Sequence, residues 1–147
     1  MKKKQIVLDS SVIVKFIFSE GEDGLRQADA LLSDVENGTV TLVAPVLAKY
    51  EIGNVIRFRK ITEPEKVASW NNFEQLPIKY FDLSFPDGSR SEEVAERAKI
   101  TFYDAVFIVL AEKLEATLVT ANSKHQRQFP NVKIINLKDY RFPRAKL

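Results

Sequence analysis

The stretch Ile6-Val7-Leu8-Asp9-Ser10-Ser11-Val12-Ile13-Val14 decides the fold. Its first three residues form a short apolar run, set off from the Met1-Lys2-Lys3-Lys4 start, and read as a buried strand. Asp9-Ser10-Ser11 is a cluster of helix-capping residue types, and residues 12–18 read as the helix that it opens. A buried strand passing straight into a helix is the pattern whose repetition marks an α/β fold.

Working outward, the repetition is there. Gly21 interrupts the first helix, and Leu25, Ala28, Leu31, Leu32 and Val35 recur at helical spacing over residues 22–35 before Asn37-Gly38. Residues 40–43 read as a second strand. Pro45 is placed in the first turn of a helix over 46–59, where proline is tolerated. Thr62-Glu63-Pro64-Glu65 predicts a capping box opening a helix through Phe73. Residues 78–83 alternate as a strand, Asp87-Gly88 reads as a turn, and 91–98 as a polar helix. Thr101 opens an apolar helix over 102–114, followed by a strand at 117–120, a short helix at 122–129 and a last strand at 132–135. The expectation is one α/β domain over residues 1–147. It would be a three-layer α/β/α sandwich on a mostly parallel sheet of four to five strands.

Composition narrows the chemistry. The chain has no cysteine, which excludes disulfides, zinc-thiolate sites, iron–sulfur clusters and thiol nucleophiles. His125 is the single histidine, so multi-histidine metal sites are excluded too, and it reads as a surface or hydrogen-bonding residue rather than a general base. Carboxylates, hydroxyls, amides and basic groups remain, a set suited to hard cations such as Mg²⁺ or Mn²⁺. No apolar run reaches the roughly 20 residues of a spanning helix, and the charges within the first apolar segment argue against a signal peptide, so a cytoplasmic location is expected. Basic residues gather at Lys2-Lys3-Lys4, Arg57-Arg59-Lys60, Lys124-His125-Arg127 and in the tail from Lys138 to Lys146. They are either solvated faces or contacts for a phosphate backbone.

In open α/β sheets ligands bind at the carboxyl ends of the strands. Asp9 follows the first strand, where it is placed either to cap a helix or to hold a ligand. Asn122 follows the strand at 117–120, and Ser10 and Thr120 add hydroxyls at the same edge. Glu51 shares a helix stripe with Leu47, Val55 and Phe58, and a carboxylate there holds a metal, pairs with a cation such as Lys15 or Lys49, or sits on a stripe edge that reaches solvent. Asn54 lies one turn along. Asp104 stands three residues after Thr101, the acid position of a capping pattern, yet it opens a helix that is apolar all round and must be central. Together these residues describe one acidic pocket.

Four pieces in order resemble the PIN-domain family, especially its VapC-type toxins: Val7-Leu8-Asp9-Ser10-Ser11-Val12-Ile13-Val14, Tyr50-Glu51-Ile52-Gly53-Asn54-Val55, Thr101-Phe102-Tyr103-Asp104-Ala105 and Leu118-Val119-Thr120-Ala121-Asn122. The resemblance implies a metal-dependent endoribonuclease of a type II toxin–antitoxin pair, with catalytic acids Asp9, Glu51 and Asp104. It also implies Mg²⁺ or Mn²⁺, an RNA substrate, a small antitoxin partner and a homodimer. Asn122 departs from the pattern, standing where many relatives carry a fourth Asp.

On this reading Asp9, Asp104, Glu51 and Asn122 form the metal set, with Ser10, Thr120 and Asn54 behind them. Arg57, Arg59, Lys124 and Arg127 are candidate RNA phosphate contacts. Three readings compete with it. One is a PIN nuclease without a toxin role; another is a catalytically weak or inactive PIN-fold module that binds RNA or protein. The third, a haloacid-dehalogenase-type phosphatase, wants a second Asp where Ser11 stands.

Overall fold

The computed structural model describes residues 3–122 and 128–141. Five strands, β1 (Lys4–Leu8), β2 (Val40–Pro45), β3 (Ile78–Phe81), β4 (Thr117–Thr120) and β5 (Lys133–Asn136), alternate with six helices. These are α1 (Ser10–Ile17), α2 (Leu25–Glu36), α3 (Leu47–Phe58), α4 (Glu63–Glu74), α5 (Phe85–Ala98) and α6 (Phe102–Leu114). All strand pairs are parallel, in the order β3-β2-β1-β4-β5.

The three central strands explain the layering. Ile6, Val7 and Leu8 of β1 and Leu42, Val43 and Ala44 of β2 are all fully buried, and β4 is buried throughout. Successive strand residues face opposite sides, so burial of every residue means that both faces of the sheet are covered. Helix α6 lies over β1, β2 and β4 with α5 against it, while α1 to α4 pack on one another and on the sheet. The expected α/β/α sandwich is the observed one, with every strand pair parallel.

Local chemistry sets the boundaries. Gly24, at a left-handed φ of 70°, precedes α2, so that helix starts three residues later than its apolar spacing suggests. The capping box of α4 is complete: Thr62 Oγ1 accepts from the Glu65 N–H, and the Thr62 N–H donates back to Glu65 Oε1. Two expectations are corrected. Pro45 does not open a helix; it ends β2, opposite Phe81, and the Val46 N–H beyond it donates to Phe81 O at 2.9 Å, so the segment stays in the sheet through Pro45. Asp87-Gly88 is not a turn, because Ser84 Oγ accepts the Asp87 N–H and Phe85-Pro86 begin α5 ahead of it. The helix expected over 122–129 falls largely outside the described residues, and Phe129, at its end, instead forms a bridge to Val132.

After β5 the chain makes a short 3-10 turn (Leu137–Asp139) and returns to α2. There Tyr140 Oη and the Arg141 guanidinium both donate to the carboxylate of buried Asp34, pinning the end of the described chain to the second helix. No described helix is long and apolar enough to cross a membrane.

Candidate active site

The chain winds from β1 to β2 and β3 on one side, then places β4 and β5 on the other side of β1. The crevice where that direction reverses lies beyond the carboxyl ends of β1 and β4, the position where open α/β sheets bind ligands. Asp9 leaves β1 there, its N–H continuing the ladder to Val119 O at 3.0 Å. Thr120, Ala121 and Asn122 leave β4 beside it.

Asp9 occupies the N-cap position of α1 with extended backbone angles, but its side chain makes no capping bond. Its Oδ2 instead accepts from Ser11 Oγ at 2.5 Å and from Thr120 Oγ1 at 2.9 Å. Asp9 is 7% exposed, and burial of an anion is tolerable where hydroxyls meet it in this way. The two hydroxyls are themselves fixed, Ser11 Oγ by the Ala121 N–H at 3.0 Å and Thr120 Oγ1 by the Asn122 N–H at 3.1 Å.

Asp104 faces the same crevice from α6. Thr101 Oγ1 caps that helix by accepting the Asp104 N–H at 3.1 Å, and the seven residues from Ala105 to Ala111 are all buried. The first turn of α6 is thereby held against the ends of the central strands. Asp9, Asp104 and Thr120 line one tight cavity of about 10 Å³, closed by Ile100, Phe107, Ile108 and Leu118. A cavity of that size admits about one water-sized sphere.

Glu51 joins from α3, through a bond of 2.8 Å from Ser10 Oγ to its Oε1. Since Ser10 follows Asp9, this bond ties the third carboxylate to the same turn. Of the positions open to it, Glu51 takes the stripe edge. The buried face of α3 is Ala48, Ile52 and Ile56, while Phe58 is 69% exposed, so Glu51 borders the core and does not interrupt it. Lys15 pairs with Glu22 and Asp23, and Lys49 lies over the Tyr80 ring at 4.6 Å.

Asn122 reaches the site through its backbone N–H to Thr120, and Asn54 is exposed one turn beyond Glu51. Arg57 is exposed beside Phe58. Arg59 is engaged within the fold, donating to Glu20 O at 2.7 Å, pairing with Glu22 and stacking on Phe18. Lys124, His125 and Arg127 lie outside the described residues. Ser11 is the contact that sequence reading missed: it stands beside the acids, but Asp-Ser-Ser reads first as a capping cluster.

The donor set is entirely oxygen and carboxylate-rich, which suits a hard divalent cation. Asp9 and Asp104 share the cavity, with Glu51 one hydrogen bond away. Among the described residues no three His, Asp or Glu side chains already stand at the separation of a closed metal cage. Mg²⁺ needs few protein ligands because it keeps several waters, so two carboxylates with a third nearby still fit it. Beside the site, Tyr50, Phe81, Leu83, Phe102 and Tyr103 line an apolar groove of about 280 Å³. Tyr50 and Tyr103, the chain neighbours of Glu51 and Asp104, are 73% and 61% exposed there.

The PIN domain family model matches residues 6–130. Among solved structures, the chain is similar to VapBC2 of Rickettsia felis bound to a promoter DNA fragment, at 18% identity and a TM-score of 0.67, over 90% of this chain and 98% of that one. It is similar to PAE2754 of Pyrobaculum aerophilum at 20% identity and a TM-score of 0.67, over 92% and 90% of the two chains. It is also similar to VapC20 of Mycobacterium tuberculosis, described as a toxin that cleaves the sarcin-ricin loop, at 13% identity and a TM-score of 0.66, over 87% and 98%. No curated protein sequence matches the chain. The structural likenesses speak to the fold.

Proposed function

The chain belongs to the PIN domain family, and on that premise we propose that it is a metal-dependent endoribonuclease, the toxin of a type II toxin–antitoxin pair. The observation that carries this reading is the pairing of Asp9 and Asp104 in one crevice at the switch point of the sheet, with Glu51 bound to the residue after Asp9. Asp9 and Asp104 would hold Mg²⁺ or Mn²⁺. Glu51 would bind the ion or orient the attacking water, and Asn122 would assist through its amide oxygen. A bound divalent ion lowers the pKa of a water and neutralises charge on the phosphate under attack. The protein's own share is to hold the carboxylates in place. Thr120 does so for Asp9, Ser10 for Glu51, and the Thr101-capped first turn of α6 for Asp104.

Partners follow from the surface. The solved relatives include toxin–antitoxin complexes from Klebsiella pneumoniae and Rickettsia felis, which supports a small antitoxin partner. The exposed Tyr50, Phe102 and Tyr103 along the apolar groove, with Phe85 at 98% exposure, support a protein-contact face, and a homodimer is the proposed assembly. RNA would be met by exposed Arg57 and by Lys124 and Arg127, in the cytoplasm. The reading treats residues 1–147 as a single domain.

The reading is tested by incubating structured and single-stranded RNAs with purified, antitoxin-free protein in Mn²⁺, in Mg²⁺ and in EDTA. Metal-dependent cutting that is lost in Asp104→Asn supports it. Cutting that survives EDTA or this substitution defeats it. A folded protein that binds RNA without cutting under any condition favours a non-catalytic module, for which the amide at Asn122 is the supporting feature.

A further inference from the structure

We propose that Ser11 is a positioning residue of the site, setting the orientation of the Asp9 carboxylate from within α1; this rests on the metal-site reading above. A hydroxyl has one proton to give and lone pairs to accept with. Ser11 Oγ accepts the Ala121 N–H at 3.0 Å, so its proton is directed to the short contact with Asp9 Oδ2 at 2.5 Å. Thr120 repeats the arrangement from the other side. It accepts the Asn122 N–H at 3.1 Å and donates to the same Oδ2 at 2.9 Å. Two backbone N–H groups of the chain leaving β4 thus fix two hydroxyls, and both hydroxyls fix one carboxylate oxygen. The two Oγ atoms stand 3.5 Å apart.

The two donors come from different elements, Ser11 from α1 and Thr120 from β4, and both act on the same carboxylate oxygen. Ser11 also joins α1 to the end of β4 by accepting the Ala121 N–H, so the hydroxyl that orients Asp9 is itself tied to the β4 side of the crevice. Outer partners that orient a metal-binding group characteristically carry a 10- to 100-fold share of metal affinity or activity. Ser11 makes no contact that requires it to touch RNA. Its effect is therefore expected on metal affinity and kcat, with KM for RNA unchanged.

The test compares Ser11→Val with Ser11→Thr, two side chains of nearly equal volume that differ in the hydroxyl. Mn²⁺ affinity is measured by titration calorimetry, and kcat and KM on a cleaved RNA. The Val variant is expected to bind Mn²⁺ about 10- to 100-fold more weakly, with kcat reduced and KM unchanged, while the Thr variant stays near the wild type. If a branched side chain is not accommodated, Ser11→Ala is measured against the wild type in the same way. Equal Mn²⁺ affinity with and without the hydroxyl, in a wild type that does bind Mn²⁺, overturns the role of Ser11 and leaves the metal site standing. A folded wild type that binds no Mn²⁺ overturns both.

Discussion

Asp34 is the acid that the fold uses and the proposed chemistry does not, and replacing it with alanine separates the two. Asp34 is 9% exposed on α2, and its carboxylate accepts from Tyr140 Oη and from the Arg141 guanidinium. Tyr140 is itself only 8% exposed, so Asp34→Ala strands a buried hydroxyl that had a charged acceptor. A bond of that kind contributes about 1.5–3 kcal/mol. The Arg141 side chain is 45% exposed, and its share is held to about 1 kcal/mol or less by solvent screening. The sum is roughly 2–4 kcal/mol, or a fall in Tm of about 6–12 °C for a chain of this length. Urea unfolding should show a lower midpoint at an unchanged m value. In a Tyr140→Phe background the same substitution should lose less, since the stranded hydroxyl is gone. Nuclease activity per folded molecule should not change. A loss below about 0.5 kcal/mol, the ordinary range of a surface substitution, would refute the inference that this contact pins the chain end to α2.

Thr120→Val removes the second hydroxyl on Asp9 Oδ2 at nearly constant volume, and Mn²⁺ affinity or kcat should fall about 10- to 100-fold in a protein that stays folded by circular dichroism. Burial holds the Tyr80 phenol up at about 12, and burial with the Asp34 carboxylate holds Tyr140 well above the usual 10.0. A raised phenol favours the folded state while protonated, so stability should fall as pH rises beyond 10. The phenolate absorbance of these two side chains should then appear at higher pH than that of ordinary tyrosines, whose phenols ionise near 10. On the acid side, Lys15 and Lys138 hold Asp23 at about 2, Lys113 lowers Asp87, and Arg90 lowers Glu112. Depressed carboxylates stabilise the fold above their ordinary values, so the urea midpoint should drop as pH falls below about 4. Added salt should shrink the Asp23 part most, because that side chain is 70% exposed.

The order of strands and helices was legible because burial on both faces leaves a strong mark: three apolar residues in β1, Leu118 and Val119 between two threonines in β4, and an unbroken apolar run from Ala105 to Ala111 in α6 admit few other placements. The boundaries that were missed turned on single local bonds. Ser84 accepting the Asp87 N–H drew a helix over a dipeptide that reads as a turn. Phe81, set opposite Pro45, kept that proline in the sheet. The acids at Asp9 and Asp104 could be found from position alone, since the ends of parallel strands and the first turn of a central helix converge by topology. Glu51 was selected on a stripe that includes exposed Phe58, and its link to the site runs through Ser10, a contact across 41 residues that periodicity does not encode. Ser11 escaped for a related reason. A serine three places after a strand looks the same whether its hydroxyl caps its own helix or reaches over to another strand.

The most direct test of the account is to locate the ion. Crystals of the antitoxin-free protein grown with Mn²⁺ should show, in diffraction near the manganese edge, an anomalous peak in the crevice between Asp9 and Asp104. That peak should lie within reach of Glu51 and vanish in Asp104→Asn. Well-ordered crystals with Asp9 and Asp104 defined but no peak between them, or a peak only at some other cluster of acids, would contradict the assignment of this crevice as the metal site.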